Sequence, residues 1–147
     1  MNAVRDRSLV LKDPQLMRKG LLIPSLVSVS SVDGQRGLRV MCANVQSLNN
    51  KVNELRALAT LECPDVIALT ETWTNESIAN ECLHVEGYDV VVRKDRTDTA
   101  GGRGGGIVVY VKDVFAWQKD VETNFNQCAL IKVKRRGRDL GLGIVYR

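Results

Sequence analysis

Apolar and polar positions divide this chain into an unpatterned start and a sharply patterned remainder. Residues 1–37 mix charged pieces with the apolar, serine-rich stretch LLIPSLVSVSSV and hold no sustained period. They close on the turn-like run Asp33-Gly34-Gln35-Arg36-Gly37 and read as a poorly ordered leader, so the domain proper is expected over residues 38–147. From Leu38 the run LRVMCANV is short, apolar and β-branched, which predicts a strand with Asn44 near its end.

Asn49 and Asn50 offer N-cap oxygens to a helix expected over residues 50–61. Val52, Leu55, Leu58, Ala59 and Leu61 or Glu62 trace one face of it, with Lys51, Asn53, Glu54 and Arg56 opposite. Pro64 ends the helix, and DVIALTE follows as a second, buried strand closing in Glu71. Strand, helix, strand within about thirty residues is a βαβ unit, which makes the two strands parallel. After the polar stretch 74–77, GYDVVVR and GIVVYV read as strands of a hairpin with a long, mobile connection through KDRTDTAGGRGG. CALIKVK and LGLGIVY flank the basic turn 135–139, so an antiparallel meander is expected for the second half and an α/β (α+β) class for the whole.

Composition narrows the class. With 147 residues, 44% hydrophobic and 26% charged, the chain is one globular domain and not a disordered, collagenous or disulfide-framework protein. Lys and Arg outnumber Asp and Glu by 21 to 17, giving +4 and a pI near 9.0, a balance compatible with a polyanionic partner but not diagnostic of one. Cys42, Cys63, Cys82 and Cys128 lie far apart, and His84 is the only histidine, so neither a zinc site nor a disulfide framework is indicated. Residues 21–32 are broken by Pro24 and serines, too short to span a bilayer and too deep for a secretory core. A nuclear or cytoplasmic location is expected, with no secretion and no membrane partner.

Parallel neighbours open their carboxyl ends on one rim, where ligands bind in open α/β sheets, and Asn44 and Glu71 both belong to that rim. An amide oxygen and a carboxylate are hard ligands of the kind Mg²⁺ takes alongside water and phosphate. On residue type alone, Asn44 is equally readable as a turn cap and Glu71 as a solvated strand-end acid. GGRGGG lacks the Lys-Ser/Thr of a P-loop and the strand-to-helix setting of a dinucleotide fingerprint, so it reads as a flexible hairpin loop. Arg93, Arg96 and Arg103 around it are candidates for backbone-phosphate contacts, or for an ordinary basic rim. Lys132, Lys134, Arg135, Arg136 and Arg138 read in the same two ways, as backbone-phosphate contacts or as protection of a sheet edge, and His84 as structural or exposed.

The strings ANVQSLNNK at 43–51 and PDVIALTETW at 64–73 resemble, in order and spacing, the opening motifs of the endonuclease/exonuclease/phosphatase superfamily. The apurinic-like endonuclease of non-LTR (LINE-type) retrotransposons is the most similar branch. The resemblance continues through Gly87-Tyr88, residues 93–96, 104–107 and 143–147. It implies the N-terminal half of a DNase I-like, four-layer αββα sandwich and a Mg²⁺-dependent phosphodiesterase, with Mn²⁺ as a substitute. In a retrotransposon the activity nicks target DNA to prime a downstream reverse transcriptase. By the same resemblance Asn44 orients metal and phosphate, Glu71 ligates the metal, and Tyr146 hydrogen-bonds the phosphate near the leaving oxygen.

The family's later Gly-Asp-Phe-Asn and Ser-Asp-His motifs, which supply the water-activating Asp and the charge-stabilising His, are not in this sequence. His84 cannot stand in for that His, which the family places near the domain's C-terminus. The chain alone is therefore expected to be inactive, with one apolar sheet face uncovered. The alternatives are a phosphatase or deadenylase of the same superfamily, or a non-catalytic nucleic-acid-binding fragment.

Overall fold

The apolar runs become the strands of two sheets in a computed structural model of the chain, which describes residues 37–96, 104–119, 128–135 and 137–145 and the backbone of Ser25–Val29. Ser25–Val29 is strand β1, and it pairs antiparallel with β2, Leu38–Asn44. This strand lies inside the stretch that reads as a leader. SLVSV is only five residues long, does not alternate strictly and follows a proline, so pairing with β2, not local pattern, makes it a strand. The other residues of 1–36 lie outside the described set.

The βαβ unit is present: β2 and β3 (Val66–Thr70) are parallel, with Val40 opposite Val66 and Asn44 opposite Thr70, and helix α1 (Val52–Glu62) connects them. α1 buries Val52, Leu55 and Ala59. Leu61 is 76% exposed, whereas Glu62 lies partly covered with its carboxylate 3.6 Å from the Arg39 guanidinium. The helical repeat explains the choice, because at about 100° per residue Glu62 falls beside the stripe of Val52, Leu55 and Ala59 whereas Leu61 falls well round toward the opposite side.

The expected asparagine cap is absent. A 3-10 turn at Leu48–Asn50 leads into the helix, Lys51 is the N-cap residue without a side-chain cap bond, and the Asn50 amide donates to Ser47 Oγ at 3.1 Å. Lys51 instead sends its ammonium back to the carbonyls of Val45 and Gln46. At the other end Cys63 adopts φ 45°, its N–H returns to the Ala59 carbonyl at 3.0 Å, and Pro64 prevents continuation.

β4 (Tyr88–Lys94) and β5 (Ile107–Lys112) form the expected antiparallel hairpin, but β5 inserts beside β3, so the sheet order is β1-β2-β3-β5-β4. The second sheet holds β6 (Ala116–Lys119), β7 (Cys128–Arg135) and β8 (Arg138–Val145) in antiparallel order. β6 has no sequence signature: all its residues are exposed, and its backbone pairs with β7.

Alternation assigns the layers. Met41, Ala43, Ile67, Leu69, Val108 and Tyr110 of the first sheet pack under α1. Their neighbours Val40, Cys42, Val66, Ala68, Val109 and Val111 pack against Ala129, Ile131, Val133, Leu142 and Ile144 of the second sheet. Each fully buried Leu, Ile or Val contributes about 1.5–3 kcal/mol relative to exposure. Both faces of the sheet are thus covered along β2, β3, β4 and β5. The outer face of the second sheet carries Lys132, Lys134, Gly141 and Gly143 beside Leu130 and exposed Val145, so it is a mixed face where the sequence leads to the expectation of an apolar one. Among the described residues no helix is long and apolar enough to cross a membrane.

Candidate active site

The register places one end of every central strand together. Asn44 pairs with Thr70, Thr70 with Ile107, and Ile107 with Lys94, so the ends of β2, β3 and β4 and the start of β5 share a rim. The second sheet reaches the same rim, because Lys94 Nζ donates to the Cys128 carbonyl at 2.6 Å and Cys128 pairs with Val145. β8 therefore ends at this rim; Tyr146, the next residue in sequence, lies outside the described residues.

Pairing continues past the strands and binds the rim loops to one another. Val45 N–H donates to Thr70 O at 2.9 Å, Ser47 N–H to Glu71 O at 3.1 Å and Leu48 N–H to Thr72 O at 2.8 Å. On the other side Trp73 N–H donates to Gly105 O at 3.0 Å and Arg96 N–H to Thr74 O at 3.0 Å. Gln46, Ser47, Glu71 and Trp73 all take positive φ, at 41°, 79°, 53° and 53°. For residues with a Cβ that conformation costs on the order of 1–3 kcal/mol and persists only where surroundings over-determine it. Apart from Cys63 at the helix end, every described non-glycine residue with positive φ is in these two loops.

Glu71 is 8% exposed. Its Oε1 accepts the Gly105 amide at 3.0 Å and its Oε2 accepts the Trp73 indole N–H at 2.6 Å. The glycine run is required here: Gly105 adopts φ 82°, and a Cβ on Gly106 would stand 2.4 Å from Thr72 Oγ1. Asn44 is exposed at the end of β2 and continues the Val40, Cys42 row that faces the second sheet.

An ionised carboxylate offers about four lone-pair directions, so after two hydrogen bonds Glu71 retains capacity for a cation. No group of three or more His, Cys, Asp or Glu able to hold a metal occurs among the described residues. One carboxylate, a neutral amide, water and substrate oxygens make a donor set suited to Mg²⁺ rather than to zinc. The residues fit the ion that the motifs imply.

The arginines separate. Arg93 is turned into the fold: its guanidinium meets Asp95 at 2.7 and 3.1 Å, Asn80 Oδ1 at 2.7 Å and the Asn75 carbonyl at 2.7 Å. It braces the loop 75–80. Burial pushes the Asp95 carboxyl up, but hydrogen bonds from Arg93 and Thr74 outweigh this and hold it below the usual aspartate value. Arg96 stands beside the glycine run, its Cβ 3.9 Å from the place a Gly105 Cβ would take, and Arg103 lies outside the described residues. His84 is exposed next to Glu86, on the connection into β4.

Sequence reasoning missed Trp73 and Gly105 as partners of Glu71. Both were in matched strings; the signal was a glycine run immediately before a buried strand, too compact for a hairpin tip.

No family model and no curated protein matches the sequence. Solved structures do. The endonuclease domain of TRAS1, a telomere-specific non-LTR retrotransposon, aligns with TM-score 0.52 and 16% identity over 75% of this chain and 46% of its own. AP endonuclease LMAP from Leishmania major aligns with TM-score 0.59 and 19% identity over 85% of this chain and 45% of its own. The fold is that of the DNase I-like endonucleases. Both neighbours belong to the endonuclease/exonuclease/phosphatase superfamily that the motifs resemble. The present chain spans just under half the length of either DNase I-like neighbour.

Proposed function

We propose that this chain carries the metal-binding rim of a Mg²⁺-dependent phosphodiesterase, and that the parent protein is a retrotransposon-type DNA endonuclease that nicks its target to prime a reverse transcriptase. The observation behind this reading is the Glu71 carboxylate, nearly closed from solvent and held by two N–H donors on the rim it shares with Asn44. An acid that served only solubility would gain nothing from burial.

On this reading Glu71 supplies the negative charge that anchors the cation, and Mn²⁺ substitutes for Mg²⁺. The Asn44 amide gives one hard oxygen and keeps an NH₂ for a phosphate oxygen. The Tyr146 hydroxyl donates to the phosphate near the leaving oxygen. Arg96 and Arg103 are assigned to contacts with the DNA backbone, while Arg93 acts from within the loop it braces. The bound ion supplies Lewis-acid polarisation of the phosphoryl group. An activated water and a charge-stabilising His are also needed, and the motifs that carry them are not in this sequence.

The test joins the chain to its coding continuation and assays nicking of supercoiled plasmid. The expected result is nicking that requires Mg²⁺ and disappears with Glu71→Ala or Asn44→Ala. Tight, salt-sensitive DNA binding without Mg²⁺-dependent cleavage would identify an interaction module instead. Release of phosphate from small phosphoesters with intact plasmid would identify a phosphatase.

A further inference from the structure

We propose that the Trp73 indole and the Gly105 amide form a clasp that sets the Glu71 carboxylate, which makes Trp73 a positioning residue and the glycine run 104–106 a fixed wall of the site. The inference deepens the metal reading above and rests on it only for what the clasp serves. Three hydrogen bonds close a ring through three residues. Gly105 N–H donates to Glu71 Oε1 at 3.0 Å, Trp73 Nε1–H donates to Glu71 Oε2 at 2.6 Å, and Trp73 backbone N–H donates to Gly105 O at 3.0 Å.

Each carboxylate oxygen is therefore held from a different segment, one following β3 and one leading into β5. A glutamate side chain otherwise samples many rotamers, and the entropy of ordering it is a cost that a ligand would have to supply. Here the fold supplies it in advance. Bonds to an ionised acceptor are roughly twice as strong as neutral ones. These two donors are themselves neutral, so they orient the carboxylate without cancelling its charge. The left-handed φ of 53° at both Glu71 and Trp73 folds the segment back so that the indole reaches the carboxylate two residues earlier. Gly106 lets the wall close, since any Cβ there would strike Thr72 Oγ1.

The test uses the 147-residue chain, nitrogen-15 labelled, with Mn²⁺ alone as the probe. In hydrogen exchange, the Trp73 indole and Gly105 amide should be protected. Glu71→Ala should release both together, by about tenfold or more, while amides of β2 and β3 keep their protection and report an intact fold. Unchanged exchange at both groups overturns the clasp. Electron paramagnetic resonance then measures Mn²⁺ affinity: Trp73→Phe, which keeps a ring and deletes the donor, should weaken binding about tenfold or more, the usual effect of losing a partner behind a metal ligand. Equal affinity in a folded Trp73→Phe variant overturns the positioning role. If no variant and no wild-type chain binds Mn²⁺ while the exchange result holds, the metal reading fails and the clasp stands.

Discussion

Gly106→Ala gives the sharpest stability prediction, because a matched control separates its two effects. At Gly106 φ is 98°, and the added methyl would lie 2.4 Å from Thr72 Oγ1, 3.3 Å from Trp73 N and 3.4 Å from Lys94 O. Thr72 is 1% exposed and its hydroxyl is already hydrogen-bonded to Thr74 Oγ1 at 3.2 Å, so it has little room to move. Backbone strain of order 1–3 kcal/mol adds to overpacking of order 1–3 kcal/mol, for a loss of about 2–6 kcal/mol. Gly87 also has positive φ, 80°, but a Cβ there meets nothing within 4 Å, so Gly87→Ala should show the strain alone, about 1–3 kcal/mol. Urea unfolding of the three proteins, read as midpoint shifts at constant slope, measures the difference. If Gly106→Ala proves no more damaging than Gly87→Ala, the close packing of the glycine run against residues 72–73 is wrong.

Further outcomes follow from other sites. Asp95 has its carboxyl held below the usual aspartate value, so its contribution is complete above that ordinary value and is lost as pH falls through the lower folded one; acid should deprotect the amides of 75–80 first, and Arg93→Ala should do so at neutral pH. Burial pushes the Cys42 thiol up to about 12, so an alkylating reagent at pH 8 should label exposed Cys63 and Cys82 rapidly and leave Cys42 unmodified until unfolding. In the lengthened enzyme Tyr146→Phe should lower the rate by the equivalent of about 2–4 kcal/mol, the usual scale for one transition-state donor, with Mg²⁺ affinity unchanged; weakened Mg²⁺ binding would contradict the assigned role.

What the sequence determined by itself is whatever depends on neighbours along the chain. Periodicity located β2, α1 and β3, the proline marked the helix end, and the βαβ rule put Asn44 and Glu71 on one rim. The hairpin of β4 with β5 and the pairing of β7 with β8 were legible for the same reason. Within α1, the repeat gave the buried row but left Leu61 and Glu62 open.

Tertiary structure decided what depends on partners distant in sequence. The insertion of β5 beside β3, the ordering of β1 and the pairing of β6 with β7 have no local signature, because a strand edge is satisfied by whichever backbone reaches it. Arg93 carries the same charge whether it points at solvent or at Asp95, Asn75 and Asn80, so composition could not tell a phosphate contact from a brace. The glycine run looks mobile as a string and becomes a wall only when Glu71 and Thr72 lie against it. One of the two donors that hold Glu71 comes from a residue 34 positions away, across a strand order that only the folded sheet establishes.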